Sequence, residues 1–363
     1  MIPARGFQSV ISAGVYAKYG PLSIQLRPEM VYAENRDFRL SEPDISDYYI
    51  DLPKRFGDKS YKKILPGQSS VRLSLGPVSF GLSSENLWWG PGIHNSLLMS
   101  NSAPGFNHLT LNNNKPIRTS IGSFEGQLIG GRLEGSGFTD KPDDWRYLSA
   151  LTFSYQPRWV PGLFLGATRS LQVYNGELNT FVDYFPFLQS FSQKNNYDTN
   201  QPQWDQIASL FLRWVWKEAL LEAYLEYGRG DFSANLRDFL LEPEHSRAYL
   251  VGFKKLIRIA ELKKEYLTLN FEIINIRQPI TYTIRNAGSW YTHAPIYSGY
   301  THIGEILGTG IGPGSDLKVF QIDWVRDLNN ISILIKHHKH SNDFFPPQNP
   351  NSVLTERNAT TIG

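Results

Sequence analysis

The lengths of the links between extended segments constrain this chain most. Within each pair of strand-like segments the link is a few residues. Between pairs it runs long, over 33–69, 83–115, 174–204, 231–246 and 277–314. Such alternation sorts all short turns to one end of a sheet and all long loops to the other. Outer-membrane barrels carry this asymmetry, with short periplasmic turns and long surface loops. A sandwich with Greek-key crossovers does not sort its loops this way.

The segments themselves have the period of strands. From Leu22 the chain reads LSIQLRPEMVY, with Leu22, Ile24, Leu26, Pro28, Met30 and Tyr32 on one face and Ser23, Gln25, Arg27 and Glu29 on the other. This predicts one strand of about ten residues, the length that crosses a bilayer obliquely. Ile11, Ala13, Val15, Ala17 and Tyr19 alternate in phase before it, and only Gly20-Pro21 intervenes, which predicts a tight hairpin. Gly76-Pro77 joins 71–75 to 78–82 in the same way. Further pairs are predicted at 147–157 with 163–173, 209–216 with 220–228, 247–257 with 266–276 and 317–325 with 331–340, and a shorter one at 117–121 with 124–134. The total is about fourteen strands. One segment competes: KEALLEAYLEYG, 217–228, has the residue types of a helix. Leu221, Ala223, Leu225 and Tyr227 nevertheless alternate and Gly228 ends the run, so periodicity predicts a strand.

Composition removes competitors. No apolar run approaches the roughly 20 residues of a transmembrane helix, and Met1-Ile-Pro-Ala-Arg-Gly lacks the apolar region of a secretory signal. The absence of Cys excludes disulfides, thiolate metal sites and cysteine nucleophiles, and a net charge of +2 gives no nucleic-acid signal. Arg27, Glu29, Arg72, Glu125, Arg132, Glu134, Arg169, Arg213, Glu222, Glu226, Glu272 and Asp323 all fall within predicted strands. In a soluble sheet that face would be solvated; in a barrel it is the lumen, where acids and bases are expected to pair. Tyr16, Tyr19, Tyr32, Tyr147, Tyr155, Trp214, Trp216 and Trp324 lie near strand ends and suit interfacial girdles. The expected fold is all-β, a transmembrane antiparallel up-and-down β-barrel, with residues 1–363 as one domain in the outer membrane.

The stretch LSSENLWWGPGIHNSLLMSNSAPG, 82–105, fits neither a helix period nor a strand, since Pro91 interrupts both. Its Trp88-Trp89-Gly90-Pro91-Gly92, Ser96-Leu97-Leu98, Ser100-Asn101 and Ala103-Pro104 resemble the signature of the Wzi family of outer-membrane capsule-assembly proteins. The flanks YGPLSIQLRPEMVYAEN (19–35), FEGQLIGGRLE (124–134) and YLEYGRGDF with HSRAYLVGF (224–253) are similar to that family too. The resemblance implies an eighteen-stranded outer-membrane barrel acting as a surface lectin that binds exported capsular polysaccharide and helps organise it. The chain departs from the pattern in its strand count, in lacking an N-terminal helical segment, and in ending Asn358-Ala-Thr-Thr-Ile-Gly363 without a terminal aromatic. It reads as a fragment trimmed at both ends.

Sugar recognition needs flat aromatic faces for the C–H side of a pyranose and planar polar groups for its hydroxyls. The long loops supply both: Tyr48 and Tyr49 with Asp44 and Asp47, Trp88 and Trp89 with Asn86, Asn95 and Asn101, and Trp290 and Tyr291 with Arg285 and Asn286. Each aromatic has an alternative role as a packing anchor. The Gly-Pro-Gly run predicts a rigid ledge at the barrel mouth, with one indole buried and the other beside Asn95 or Asn101 near the surface. His337, His338 and His340 read as a polar strand end rather than a metal site, and no cofactor is implied. FVDYFPFLQSF, 181–191, reads as the packed base of a long loop. Ser100, Asn101, Ser102 and His108 share a loop, yet no G-x-S-x-G surrounds the serines, so no enzyme is expected. The alternatives are a porin or solute channel and an outer-membrane hydrolase. The expected partners are capsular polysaccharide and outer-membrane lipid, with the protein a monomer and no nucleic acid bound.

Overall fold

A computed structural model of the chain describes residues 2–38, 48–139, 142, 144–186, 203–230, 244–260, 264–278, 288–340, 343–344 and 358–362. Asp44, Asp47, Arg285, Asn286 and the end of the 181–191 run lie outside them. Among the described residues no α-helix forms, and none is long and apolar enough to cross a membrane.

The strands are β1 (Gln8–Ser12), β2 (Val15–Tyr19), β3 (Leu22–Leu26), β4 (Glu29–Ala33), β5 (Tyr61–Leu65), β6 (Ser70–Leu75), β7 (Val78–Ser83), β8 (His108–Asn113), β9 (Ile117–Arg118) and β10 (Gly122–Leu133). They continue as β11 (Arg146–Pro157), β12 (Leu163–Tyr174), β13 (Asp205–Trp216), β14 (Leu221–Arg229), β15 (Arg247–Ala260) and β16 (Glu265–Asn275). Last come β17 (Thr301–His302), β18 (Glu305–Ile306), β19 (Asp316–Arg326), β20 (Asn329–Lys339) and β21 (Asn358–Ile362). One 16-stranded antiparallel sheet takes the path β2-β3-β6-β7-β8-β10-β11-β12-β13-β14-β15-β16-β19-β20-β21, with β9 attached to β10. Every hydrogen-bonded neighbour on this path is the next available strand in the chain, as in an up-and-down meander. The links 20–21, 76–77, 114–121, 158–162, 217–220, 261–264 and 327–328 therefore share one end, and the long loops share the other.

The faces of this sheet are inverted relative to a soluble protein. On β6, β7 and β8 the residues open to the outside are Val71, Leu73, Leu75, Val78, Phe80, Leu82, Leu109 and Leu111. Ser70, Ser79, Ser83, His108 and Thr110, between them, are buried. An apolar band facing out and polar groups facing in is the arrangement a bilayer requires. Side chains from β3 (Gln25), β6 (Arg72), β10 (Gln127), β11 (Arg146), β16 (Glu272) and β20 (His338) reach the same inward-folded loops. The sheet thus wraps around a plug. Outward aromatics mark the short-turn end: Trp214 and Trp216 have ring centroids 4.5 Å apart, and Trp324 Nε1 donates to Glu265 at 2.9 Å.

Three sequence expectations are corrected. The predicted strand from Leu22 to Tyr32 is two, because the ladder breaks at Arg27-Pro28, where Pro28 has no N–H to donate. Beyond the break β4 leaves the barrel sheet and joins β1 and β5 in a three-stranded sheet. Leu22, Ile24 and Leu26 do take the face opposite Gln25, whose amide bonds Glu85 inside. Second, the loop predicted at 83–115 contains β8, which pairs with both β7 and β10, and only the two residues of β9 pair with β10 in its place. Third, Arg132 and Arg169 point outward rather than into the lumen, and Glu134, past the end of β10, pairs with the exposed Arg132 instead of lining the interior. Arg169 stands opposite Leu151 and Ala208, one residue out of phase with the inward Ser170. It is buried there, with NH2 2.6 Å from Gln206 Oε1. Nearby Leu171 and Val173, also outward, are covered by Trp204, Leu178 and Tyr147.

Candidate functional site

The plug is built from residues 84–107, between β7 and β8, and 288–315, between β16 and β19. The first segment turns at the Trp-Trp-Gly-Pro-Gly run. Gly90 adopts φ +109°, and a Cβ there would lie 2.7 Å from Glu226 Oε2, so only glycine fits. Trp89 is 4% exposed; its backbone N–H donates to Met99 O at 3.2 Å and its indole Nε1 to Gln127 Oε1 at 3.0 Å. Leu97, Leu98 and Met99 complete the turn inside the hydrophobic core with Ile129, Leu148, Leu250 and Ile274 of the wall.

Two charged wall residues grip the plug. Glu272 on β16 accepts the N–H groups of Ile93 (2.8 Å) and His94 (3.1 Å), the amide of Asn95 (2.9 Å) and the hydroxyl of Tyr224 (2.9 Å). Arg146 on β11, fully buried, donates to the carbonyls of Gly299 and Thr301 and to Gln172 Oε1. The two plug segments also hold each other: Tyr291 O–H donates to Leu97 O at 2.7 Å, Ser100 N–H to Leu307 O at 2.8 Å, and Thr309 Oγ1 to Asn95 Oδ1 at 2.7 Å. The expected ion pairs across the lumen are few. Arg72 pairs with Glu85 at 2.5 Å and Arg213 with Glu222 at 2.6 Å. Glu226 and Glu272 instead receive hydroxyl and amide donors.

The aromatic and amide residues picked out from the sequence divide sharply. Trp290 is 2% exposed, with Nε1 on Ser246 O at 3.0 Å, and Tyr291 is stacked on Tyr300. Asn95 spends its amide on Glu272 and Thr309. These three and Trp89 face the protein interior, because the plug's two halves meet on them. Exposed at the long-loop end are Tyr48, 4.8 Å from the Phe344 ring, and Tyr49, 5.2 Å from the ring of Tyr297. Tyr297 is exposed too, and nothing in the sequence around it distinguishes it from the buried Tyr291 and Tyr300. Asn101 is exposed and lines a cleft of about 330 Å³ with Asn86, Gln68, Glu29, Tyr61 and Glu305. Burial raises the Glu305 carboxyl above its ordinary range.

Trp88 is 37% exposed, with its Nε1 turned back onto Gly92 O at 3.0 Å. It stands apart from the surface mouth where it was expected. Its neighbours around a cavity of about 440 Å³ include Asn114, Lys115, Glu125, Ser154, Phe164 and Arg213, at the short-turn ends of the wall strands. The turn thus leaves the Trp89 indole in the core and the Trp88 indole partly exposed beside this cavity.

Ser100 donates to Gly308 O and lies 2.9 Å from Ser102 Oγ, while His108 Nδ1 is 2.8 Å from Phe106 O. No serine–histidine hydrogen bond forms among the described residues. His338 Nε2 is 3.1 Å from Ile311 O, tying the histidine-rich end of β20 to the plug.

By sequence, the family described as capsule assembly protein Wzi matches residues 3–361. No curated protein matches the chain. Among solved structures it is similar to Wzi of Escherichia coli, described as a carbohydrate-binding β-barrel and outer membrane protein involved in group 1 capsule assembly, with TM-score 0.64 and 14% identity. That match covers 92% of this chain and 65% of the Escherichia coli chain. In vitro folded OmpT of Vibrio cholerae matches with TM-score 0.35 and 8% identity, over 92% of this chain and 80% of that one. OmpT with loop L8 deleted matches with TM-score 0.37 and 8% identity, over 91% and 84%. Both OmpT likenesses are too distant to bear on the site.

Proposed function

This chain belongs to the capsule assembly protein Wzi family, and we propose that it is an outer-membrane surface lectin that binds exported capsular polysaccharide and helps assemble it at the cell surface. The observation that carries this reading is the filled lumen. Two loop segments, gripped by Glu272 and Arg146 and packed around Leu97, Leu98 and Trp290, occupy the space a porin would keep open. An interior so filled is a rigid stand for the long-loop face.

On that face the exposed rings of Tyr48, Tyr49 and Tyr297 offer flat apolar surfaces for pyranose rings, and Asn101 offers a planar amide. Trp89, Asn95, Trp290 and Tyr291 serve the site by holding it still. The separate engagement of Ser100 and His108 supports binding without turnover. The apolar outer wall supports an outer-membrane lipid environment.

Retention of labelled capsular polysaccharide by intact cells tests the reading. Tyr49→Ala and Tyr297→Ala are expected to weaken retention by about 1–3 kcal/mol each, as loss of an aromatic anchor does. Unchanged retention in the double variant would sink the surface site. A large, steady conductance in planar bilayers would favour a porin instead.

A further inference from the structure

Part of the outer wall is covered by a loop of its own chain. On β11 and β12 the outward Phe153 and Leu165 are open, whereas Ser149, Arg169, Leu171 and Val173, nearer the long-loop end of the same strands, are buried. Leu178 and Trp204, from the link between β12 and β13, pack on Leu171 and Val173 from outside. Between them the link makes a single 3-10 turn, Phe181–Tyr184, and the carbonyl of Tyr184 accepts the hydroxyl of Tyr147 on β11 at 2.8 Å. The height of this turn follows from the strands beneath it. Val173, opposite Tyr147, is ten residues along β12 from Leu163, which pairs with Trp214 of the short-turn aromatic girdle. At about 3.3 Å per residue and a tilt of about 40°, that climb is about 25 Å, the height of the apolar band of an outer-membrane barrel. The turn therefore sits outside the wall at the upper edge of the band.

What the turn presents to the outside is apolar. Phe181 is 78% exposed and Val182 59%, so the start of the aromatic run at 181–191 is an open face rather than a packed base. The acids beside it are spent on backbone: Asp183 accepts the N–H groups of Asn179 (3.0 Å) and Thr180 (2.8 Å), and Glu177 accepts that of Gln203. We propose that this turn is an interfacial anchor, with Phe181 and Val182 inserted into the outer leaflet of the outer membrane. The patch is continuous with the lipid-facing Phe153 and Leu165 below it, which makes lipid its occupant rather than a second copy of the chain. Tyr147 and Tyr184, whose rings meet edge to face 5.0 Å apart, stand where tyrosines of an interfacial belt stand. β12 is the eighth of fifteen strands along the path of the sheet, so chain added at either edge, β2 or β21, extends the wall far from this patch. Pinned at the acyl boundary, the loop stays down over the outward Arg169 and keeps that charge out of the hydrocarbon.

Spin labelling tests the anchor, and the sequence contains no Cys to interfere. Nitroxides are attached at Phe181→Cys and Val182→Cys, each in protein folded into vesicles of phosphatidylethanolamine and phosphatidylglycerol. Collisions with oxygen, which partitions into lipid, are compared with collisions with a water-soluble nickel chelate. Leu210→Cys on the outer wall calibrates lipid, and Lys59→Cys, at an exposed position, calibrates water. Both test labels are expected to meet oxygen severalfold more often, and nickel severalfold less often, than the Lys59→Cys label. Water-like collision rates at either test label would overturn the anchor. So would low rates with both reagents, the signature of protein covering the turn. Both side chains are exposed, so their replacement removes little packing; a heat-modifiable gel shift confirms folding, and either variant alone carries the test if the other fails to fold. No polysaccharide enters the measurement, so its outcome is separate from that of the retention assay.

Discussion

Glu272 on β16 accepts the backbone N–H of Ile93 at 2.8 Å, across 179 positions of sequence. With His94, Asn95 and Tyr224 as its other donors, this one carboxylate fixes where the Trp-Trp-Gly-Pro-Gly turn ends and the buried Ser-Leu-Leu run begins. Replacing it with Leu strands four donors, of which those of Asn95 and Tyr224 are buried. A buried donor left unpaired costs about 1–3 kcal/mol, although the loosened turn recovers some of this. Glu272→Leu is expected to lose roughly 3 kcal/mol or more in denaturant unfolding and to show flickering single-channel currents absent from the wild type. A variant as stable and as silent as the wild type would mean that the plug is held elsewhere.

Trp89 and Trp88 are adjacent yet do different work. Trp89 fills the core between Met99 and the wall, and its Nε1 satisfies Gln127. Trp89→Ala is expected to destabilise the fold by about 3–5 kcal/mol, as large aromatic truncations in cores do. Trp89→Phe keeps most of the volume and should recover more than half of that. Comparable losses from Phe and Ala, read by chemical denaturation, would place the energy in the indole hydrogen bond rather than in packing.

Much of the barrel is legible in the sequence because its two surroundings differ. From β10 through β16 and again in β19 and β20, lipid outside and plug inside impose a clean alternation, and the Gly-Pro pairs mark two of the short turns. The missed features have physical reasons. β8 offers only Leu109 and Leu111 as outward apolar residues, too short a run to stand out inside a long loop. Charge alone points Arg169 to the lumen, whereas its parity with Leu165, Leu171 and Val173 places it outside. Charge is the weaker guide because a loop can cover an outward arginine. The burial of Trp290, Tyr291 and Asn95 depends on contacts to Ser246, Leu97 and Thr309, which no local pattern encodes. An aromatic in a long loop therefore shows that the loop is structured before it shows a ligand.

His302, in the plug beside the end of β10, accepts the N–H of Glu134 on Nδ1 at 3.1 Å, which requires an unprotonated nitrogen there. Burial, reinforced by the positive charges of Arg146 and Lys63, pushes its pKa down to about 3. The unfolded chain takes up this proton near pH 6.5, before the folded one does, so the native state gains stability from His302 above that value. The contribution is lost as pH falls from about 6.5 toward 3, with a slope of up to about 1.4 kcal/mol per pH unit. His302→Gln removes the titration. Between pH 7 and pH 4.5 the melting temperature of the wild type should therefore fall further than that of the variant. Parallel curves would show that acid sensitivity arises at other groups.

The lipid-facing wall makes a prediction graded by depth. Leu210 is the sixth of twelve residues in β13, faces outward and is 66% exposed, while Leu26 faces outward at the long-loop end of β3, next to the Pro28 break. An arginine costs about 2–4 kcal/mol at the bilayer midplane but only about 0–1 kcal/mol near the interface, where its long side chain reaches the headgroups. Leu210→Arg is thus expected to impair folding into lipid vesicles by about 2–4 kcal/mol, and Leu26→Arg by less than about 1 kcal/mol. Measured in detergent micelles thin enough to deform, the difference should shrink. Equal costs at the two positions in vesicles would contradict the assignment of β13 as a membrane-crossing strand with Leu210 at its centre.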